Sequence, residues 1–281
     1  MNRAKLYSLT LRSLTYVCAA ITFGALIFLV GHIVVNGVPY LKPSLFQLRY
    51  TTENVSLLPA LISTVIMVFL SLSLAVPLGI FTAIFLVEYA KKGSKLVSMV
   101  RMTTETLSGI PSIVYGLFGL LFFVTKLGFG FSVLSGALTL SIMVLPLIIR
   151  TTEEALKSVP DAYREGAFGL GAGKLRTVFR IILPSASPGI LAGVILSIGR
   201  ITGETAALLY TSSTVPQIPH SIMDSARTLS LHMYALSGEG LYTGESYATA
   251  VVLLVLVITI NWVSAVVAKR IVKEQVWINL K

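Results

Sequence analysis

Long apolar runs separated by short polar, charge-bearing stretches make up most of the chain. The runs lack the strict two-residue alternation of a membrane barrel strand and reach the length of a spanning helix. Six transmembrane helices are predicted, at 14–35, 57–88, 107–125, 131–149, 190–210 and 247–267. The first follows Arg3, Lys5 and Arg12. It is too long for a signal-peptide core and carries no clear small-residue cleavage site, so it reads as a span. The second would be roughly 46 Å long if straight, well beyond a ~30 Å hydrocarbon core. It must tilt, kink or begin outside the core, and Pro77 with Gly79 offers a kink.

The third span opens on Leu107-Ser108-Gly109-Ile110-Pro111-Ser112-Ile113-Val114-Tyr115-Gly116. Small residues there allow close helix contact, and the freed backbone groups need burial in protein or access to water. The string fits either a packing seam or a discontinuous helix lining a pathway. The segments 36–56, 126–130 and 211–246 read as outside loops, with an amphipathic surface helix expected over 221–236. Segment 150–188 is polar and carries six of the 22 basic residues. Lying between two spans, it belongs in water or at the membrane surface.

Composition narrows the class. Of 281 residues, 55% are hydrophobic and 12% charged, which points to a single integral membrane domain. The formal charge of +10 comes from residues flanking the apolar runs, not from a basic soluble face, so it argues for topology and against nucleic acid. With both termini inside, seventeen Lys and Arg fall on cytoplasmic segments and four outside, as the positive-inside rule requires. The lone Cys18 allows no intramolecular disulfide. His32, His220 and His232 are scattered, and no HExxH, Walker A, GxSxG or CxxC pattern occurs, so no catalytic or metal role is assigned. ATP hydrolysis would have to come from a partner.

Arg200 and Glu204 are the only charges well inside a predicted span. Their i, i+4 spacing would put both on one helix face. Either one left unpaired at the bilayer centre would cost at least ~3 kcal/mol, so they should face the bundle interior, a cavity or each other. One reading is a mutual ion pair that sets packing, on a helix with GxxxG spacing at 189–193 and 199–203. The other is an anion pathway: the guanidinium fork suits phosphate oxygens bidentately, a neighbouring carboxylate would tune it, and Thr202 and Thr205 offer hydroxyls. A protonated Glu204 could itself donate to a phosphate oxygen.

Within 150–188, Pro160 and Asp161 offer a turn and an N-cap before a short helix over 162–170. Gly169, Gly171 and Gly173 then break the run. Ala167, Phe168 and Leu170 would give this helix a small apolar surface. A basic loop anchored to anionic headgroups is the simpler account of its Lys and Arg.

The spacing Glu165-Gly166-Ala167, three residues, Gly171, nine residues, Ile181-Ile182-Leu183-Pro184 resembles the EAA motif of permease subunits in bacterial ABC importers. It departs from that motif at Gly166, where a second Ala is usual. Arg200-Ile201-Thr202-Gly203-Glu204-Thr205 and the Ser108 to Gly116 string resemble segments of phosphate permeases. The chain is thereby identified as a member of the Pst family of phosphate-importer permeases, closer to the PstA type than to the PstC type on its short N-terminal portion.

This resemblance implies an all-α, six-helix type I ABC importer (MetI-like) fold with both termini cytoplasmic. It implies that Glu165, Gly166, Ala167, Phe168, Leu170 and Gly171 couple to an ATPase, and that Arg200 and Glu204 serve translocation. The implied partners are a PstC-like second permease, a PstB-like ATPase dimer and a PstS-like extracytoplasmic binding protein. ATP and Mg would sit on the ATPase and no cofactor on this chain. The implied location is a prokaryotic inner (plasma) membrane. Two alternatives stand beside it: an ABC permease for sulfate, molybdate or phosphonate, and a secondary transporter driven by protons through Glu204.

Overall fold

The apolar runs do fold as helices, but several helix ends lie far from where the charges suggest. The computed structural model describes residues 3–91 and 93–279; Lys92 lies outside the described residues, as do the side chains of Arg3, Lys5, Glu239, Lys269, Arg270 and Lys273. All regular structure among the described residues is helical. Five helices are long and apolar enough to cross a membrane; two more, bent by 102° at a short break, make a sixth if the pair is taken as one span.

Helix α1 (Arg3–Gly37) stands at the edge of the bundle with its apolar surface open. Its main partner is its opposite number at the far end of the chain, α11 (Thr243–Asn279). The meeting point is tight: a Cβ on Gly37 would lie 2.5 Å from the Tyr247 carbonyl oxygen. Helix α2 (Leu58–Ile84) continues through a π-helical turn (Phe85–Tyr89), so the second crossing is one helix of 32 residues.

The third crossing begins earlier than the hydropathy suggests. Helix α3 (Lys95–Ser108) precedes the break, and α4 (Ser112–Gly119) with its π continuation (Leu120–Lys126) follows it. The break is self-satisfied. The Gly109 and Ile110 amides donate to the Thr106 and Leu107 carbonyls, and the Tyr115 hydroxyl donates back to Leu107 O at 2.7 Å. Helical backbone can be interrupted at membrane depth only with such internal partners.

The fourth crossing, α5 (Val133–Ser158), does not stop at residue 149 but runs two and a half turns further. On the far side of the cytoplasmic segment, α7 (Lys174–Thr177), a π turn (Val178–Ile182) and α8 (Leu183–Thr202) form one 29-residue crossing. Residues 150–188 are therefore mostly continuations of two spanning helices. Leu156, Val159, Val178, Ile182 and Ala186 bury together against Ala83 and Ile84 of α2. Only α6 (Asp161–Gly169) and its flanks project from this base.

The predicted fifth span ends at Thr202, not at residue 210, because Gly203, Glu204 and Thr205 leave the helix before the short α9 (Ala206–Leu209). Gly116 of α4 packs against this stretch so closely that a Cβ would sit 2.9 Å from Ala207 Cα.

The outside loop also differs from its expected form. Residues 211–228 are irregular, and α10 (Leu229–Glu239) is buried along much of its length, not laid on a surface. It is anchored by Leu229 N donating to Thr64 Oγ1 and by Ser230 Oγ donating to Glu204 O. Under this cap, His232 has a pKa lowered to about 3, first by burial and then by the nearby Arg227 cation. It is held neutral beside Tyr50, whose ring Arg227 also covers.

Candidate functional site: a charged cavity and a docking helix

Four cations and three carboxylates surround a cavity of about 320 Å³ between α3, α5 and α8. Arg101 and Glu105 come from α3, Arg150, Glu153, Glu154 and Lys157 from α5, and Arg200 from α8. Thr104 and Ser108 complete the α3 wall. Residues 101, 104, 105 and 108 follow an i, i+3, i+4, i+7 pattern, which puts them on one face of α3. The α5 wall repeats the logic at 146, 150, 153 and 157.

Most of these charges are paired with one another. Glu153, nearly buried, receives Arg101 Nη2 at 2.5 Å and Lys157 Nζ at 2.6 Å, and Arg150 pairs with Glu154 at 3.0 Å. Glu105, whose carboxylate takes part in none of these ion pairs, and Arg200 are the exceptions. Among the described residues no hydrogen bond or ion pair reaches the Arg200 guanidinium.

The Arg200–Glu204 ion pair, one of the two readings of this motif, does not form. Gly203 takes the C-cap of α8, so Glu204 is no longer on the helix face that carries Arg200. Its Oε1 accepts from Ala207 N at 3.0 Å instead. Thr202 is buried with its hydroxyl donating to Ile198 O, and Thr205 lies in the break. Of the four residues expected to line a pathway, only Arg200 borders the cavity. Its unshared fork retains five N–H donors in fixed geometry, the arrangement that binds an oxyanion bidentately.

The second feature is α6. Pro160 occupies its N-cap, and Asp161, expected there, is the first helical residue. The helix closes in a Schellman motif: Ala172 N donates to Ala167 O at 3.0 Å and Gly171 N to Phe168 O at 2.9 Å. The motif needs a left-handed residue, and Gly171 supplies it with φ +80°. Ala167 turns inward and is buried, which corrects its placing on the apolar surface. Phe168 and Leu170 remain outside, Leu170 at 91% exposure, with Tyr163 beside them. Glu165 lines a groove that Phe168 also borders, and around Gly166 the space is open.

The family of inner membrane components of binding-protein-dependent transport systems matches residues 75–273. That stretch contains the cavity, α6 and the break after α8. The chain belongs to this permease family.

Its relatives place it with the PstA type. The probable ABC transporter permease protein YqgI of Bacillus subtilis is 33% identical over 90% of this chain and 94% of its own length. The phosphate transport system permease protein PstA 1 of Mycobacterium tuberculosis is 37% identical over 74% of this chain and 69% of its own length. Among solved structures, an alginate ABC transporter in complex with a pentasaccharide-bound periplasmic protein superposes with TM-score 0.65. It covers 95% of both chains at 17% identity. An inward-facing MetNI methionine transporter gives TM-score 0.59, covering 76% of this chain and 94% of its own, at 18% identity. Such low identities speak to fold alone, and the fold is that of type I ABC importer permeases, multi-pass and all-α.

Sequence reasoning about the permease missed most of the cavity wall. Arg101 and Glu105 lie before the predicted third span, 107–125, and neither was singled out as a site residue. The usable signal was the helical spacing of polar residues at 101, 104, 105 and 108, hidden because the hydropathy of α3 is too low to register as part of a crossing.

Proposed function

We propose that this permease forms half of the translocation pathway of an ATP-driven inorganic phosphate importer in a prokaryotic inner membrane. The observation that carries the reading is Arg200, an unpaired guanidinium at a cavity whose other cations already have carboxylate partners. An unpaired Arg attracts an oxyanion, whereas a locked Arg–Glu pair would be neutral. The surplus of one positive charge in the lining favours an anion without burying it under several cations. The phosphate transport names of its relatives support the choice of anion.

The second half would be a PstC-like permease, with a PstB-like ATPase dimer beneath and a PstS-like binding protein above. ATP and Mg would be held by the ATPase, and this chain would carry no cofactor. Exposed Phe168 and Leu170 on α6 would seat in the ATPase, Gly171 would set the return of the chain, and Glu165, Gly166 and Ala167 would form the body of the docking helix.

The test is reconstitution of the native complex in proteoliposomes with its binding protein outside and ATP inside. Phosphate should stimulate ATP hydrolysis and accumulate, while sulfate and molybdate at equal concentration should do neither. Stimulation by one of those anions would reassign the substrate. Phosphate accumulation without ATP, driven by a proton gradient, would overturn the importer reading itself.

A further inference from the structure

Arg164 of α6 and Glu88 of the α2 π turn lie 76 residues apart and form a pair shielded from solvent, with side-chain exposures of 16% and 8%. Nη2 of Arg164 donates to Glu88 Oε1 at 2.7 Å, and Nε donates to the same oxygen at 3.1 Å. The other donors are also taken. Nη2 reaches Leu156 O and Nη1 reaches Val159 O, both at 2.9 Å, and Nη1 also reaches Asp161 Oδ1 at 3.1 Å. Leu156 lies in the last turn of α5 and Val159 is its C-cap, so these carbonyls have no helical partner of their own.

One side chain on the docking helix therefore grips the ends of two membrane-crossing helices. Both lead to the cavity. Leu86, two residues before Glu88, lines it, and Glu153, one turn before Leu156, holds Arg101 in it. The base around the strut is packed by Ala83, Ile84, Leu156, Val159 and Ile182, so a displacement of α6 has little slack to absorb it. The other packing of α6 is against α7 and the π turn that follows it, while Tyr163, Phe168 and Leu170 face outward.

We infer that the Arg164–Glu88 strut is the mechanical link that carries motion of the docking helix into α2 and α5, and thence to the cavity wall. The inference rests on the importer reading above. Arg164 and Glu88 are positioning residues: they touch neither substrate nor nucleotide. A guanidinium is needed because only its planar fork reaches a carboxylate and two carbonyls together. A lysine at 164 would keep the charge and lose the geometry.

The experiment uses the whole complex, purified with its ATPase and binding protein and reconstituted as wild type, Arg164→Lys and Glu88→Gln. Three quantities are read: ATPase subunits retained, basal ATP hydrolysis, and phosphate-stimulated hydrolysis with uptake. The strut predicts normal retention and basal hydrolysis in both variants, with phosphate stimulation and uptake each reduced at least about tenfold, equivalent to about 1.4 kcal/mol. Uptake and stimulation within twofold of wild type would overturn it. Loss of ATPase subunits from both variants would overturn it too, by making the pair a docking or folding element. Wild type without phosphate stimulation would instead sink the importer reading, and the strut with it.

Discussion

Two arginines of this permease sit at opposite ends of the same mechanical chain and are treated in opposite ways. Arg164 spends every donor group on protein: a carboxylate from α2, two carbonyls from α5 and a carboxylate from its own helix. Arg200 has no protein partner among the described residues and borders a charged cavity. A saturated guanidinium fixes geometry, because moving it breaks several bonds together. An unsaturated one is chemically available, because its five donors have nothing better to bind. The comparison separates an arginine whose donors are all engaged from one whose donors are open to the cavity, a difference that neither residue type nor charge predicts.

The largest expected effect lies at Arg200. Replacing it with Gln should lower phosphate uptake by roughly 100-fold, the loss of a charge-assisted bidentate contact, while the assembled complex and its basal ATP hydrolysis persist. Disassembly would show that Arg200 holds structure after all and would erase the contrast. The mirror experiment is Arg164→Ala. It leaves Glu88 shielded and two helix-end carbonyls unsatisfied, and should cost about 3 kcal/mol, the lower end for a buried pair because Arg164 keeps some exposure. Thermal unfolding of the purified complex would report it, and an unchanged midpoint would place Arg164 among ordinary surface residues.

A smaller effect tests a third potential cation, His232, which the fold keeps neutral. Its pKa is about 3 when folded against an ordinary 6.5, so the unfolded chain binds more protons between those values. Stability therefore rises with pH across that window and is lost on acidification, by up to ~1.4 kcal/mol per pH unit below 6.5. His232→Gln should flatten the slope of melting temperature between pH 7 and 5; an identical slope in the variant would place the titration elsewhere.

These contrasts were only partly legible in the residues. The helical nature of the apolar runs and the short helix α6 follow from hydropathy and punctuation, because each is a local property. The placing of Arg200 and Glu204 on one helix face fails because helical spacing was carried through Gly203, where α8 ends. Gly203 is itself a local stop signal, since Gly is a common helix C-terminus. The α3 wall was hidden for a different reason: Arg101 and Glu105 face a cavity, and Arg101 is paired there with Glu153 of another helix. The Arg164–Glu88 strut joins positions 76 residues apart, beyond the reach of any spacing rule.

The finest test stays within α6, where two glycines of one motif should respond with opposite sign. Gly166 lies inside the helix at negative φ, with nothing within 4 Å of where a Cβ would stand. Gly166→Ala should raise stability by about 0.5–1 kcal/mol, since Gly costs about that much relative to Ala in a helix interior. Gly171 also has open space around it, but its φ of +80° is a left-handed conformation that L-residues resist. Gly171→Ala should lower stability by about 1 kcal/mol and loosen the Schellman closure that sets the orientation of the exposed Leu170. Because neither change touches Arg164, phosphate-stimulated hydrolysis should hold for Gly166→Ala and weaken modestly for Gly171→Ala. Equal behaviour of the two variants would mean that open space, and not backbone conformation, governs this helix, and that the orientation of α6 matters less to coupling than the strut beneath it.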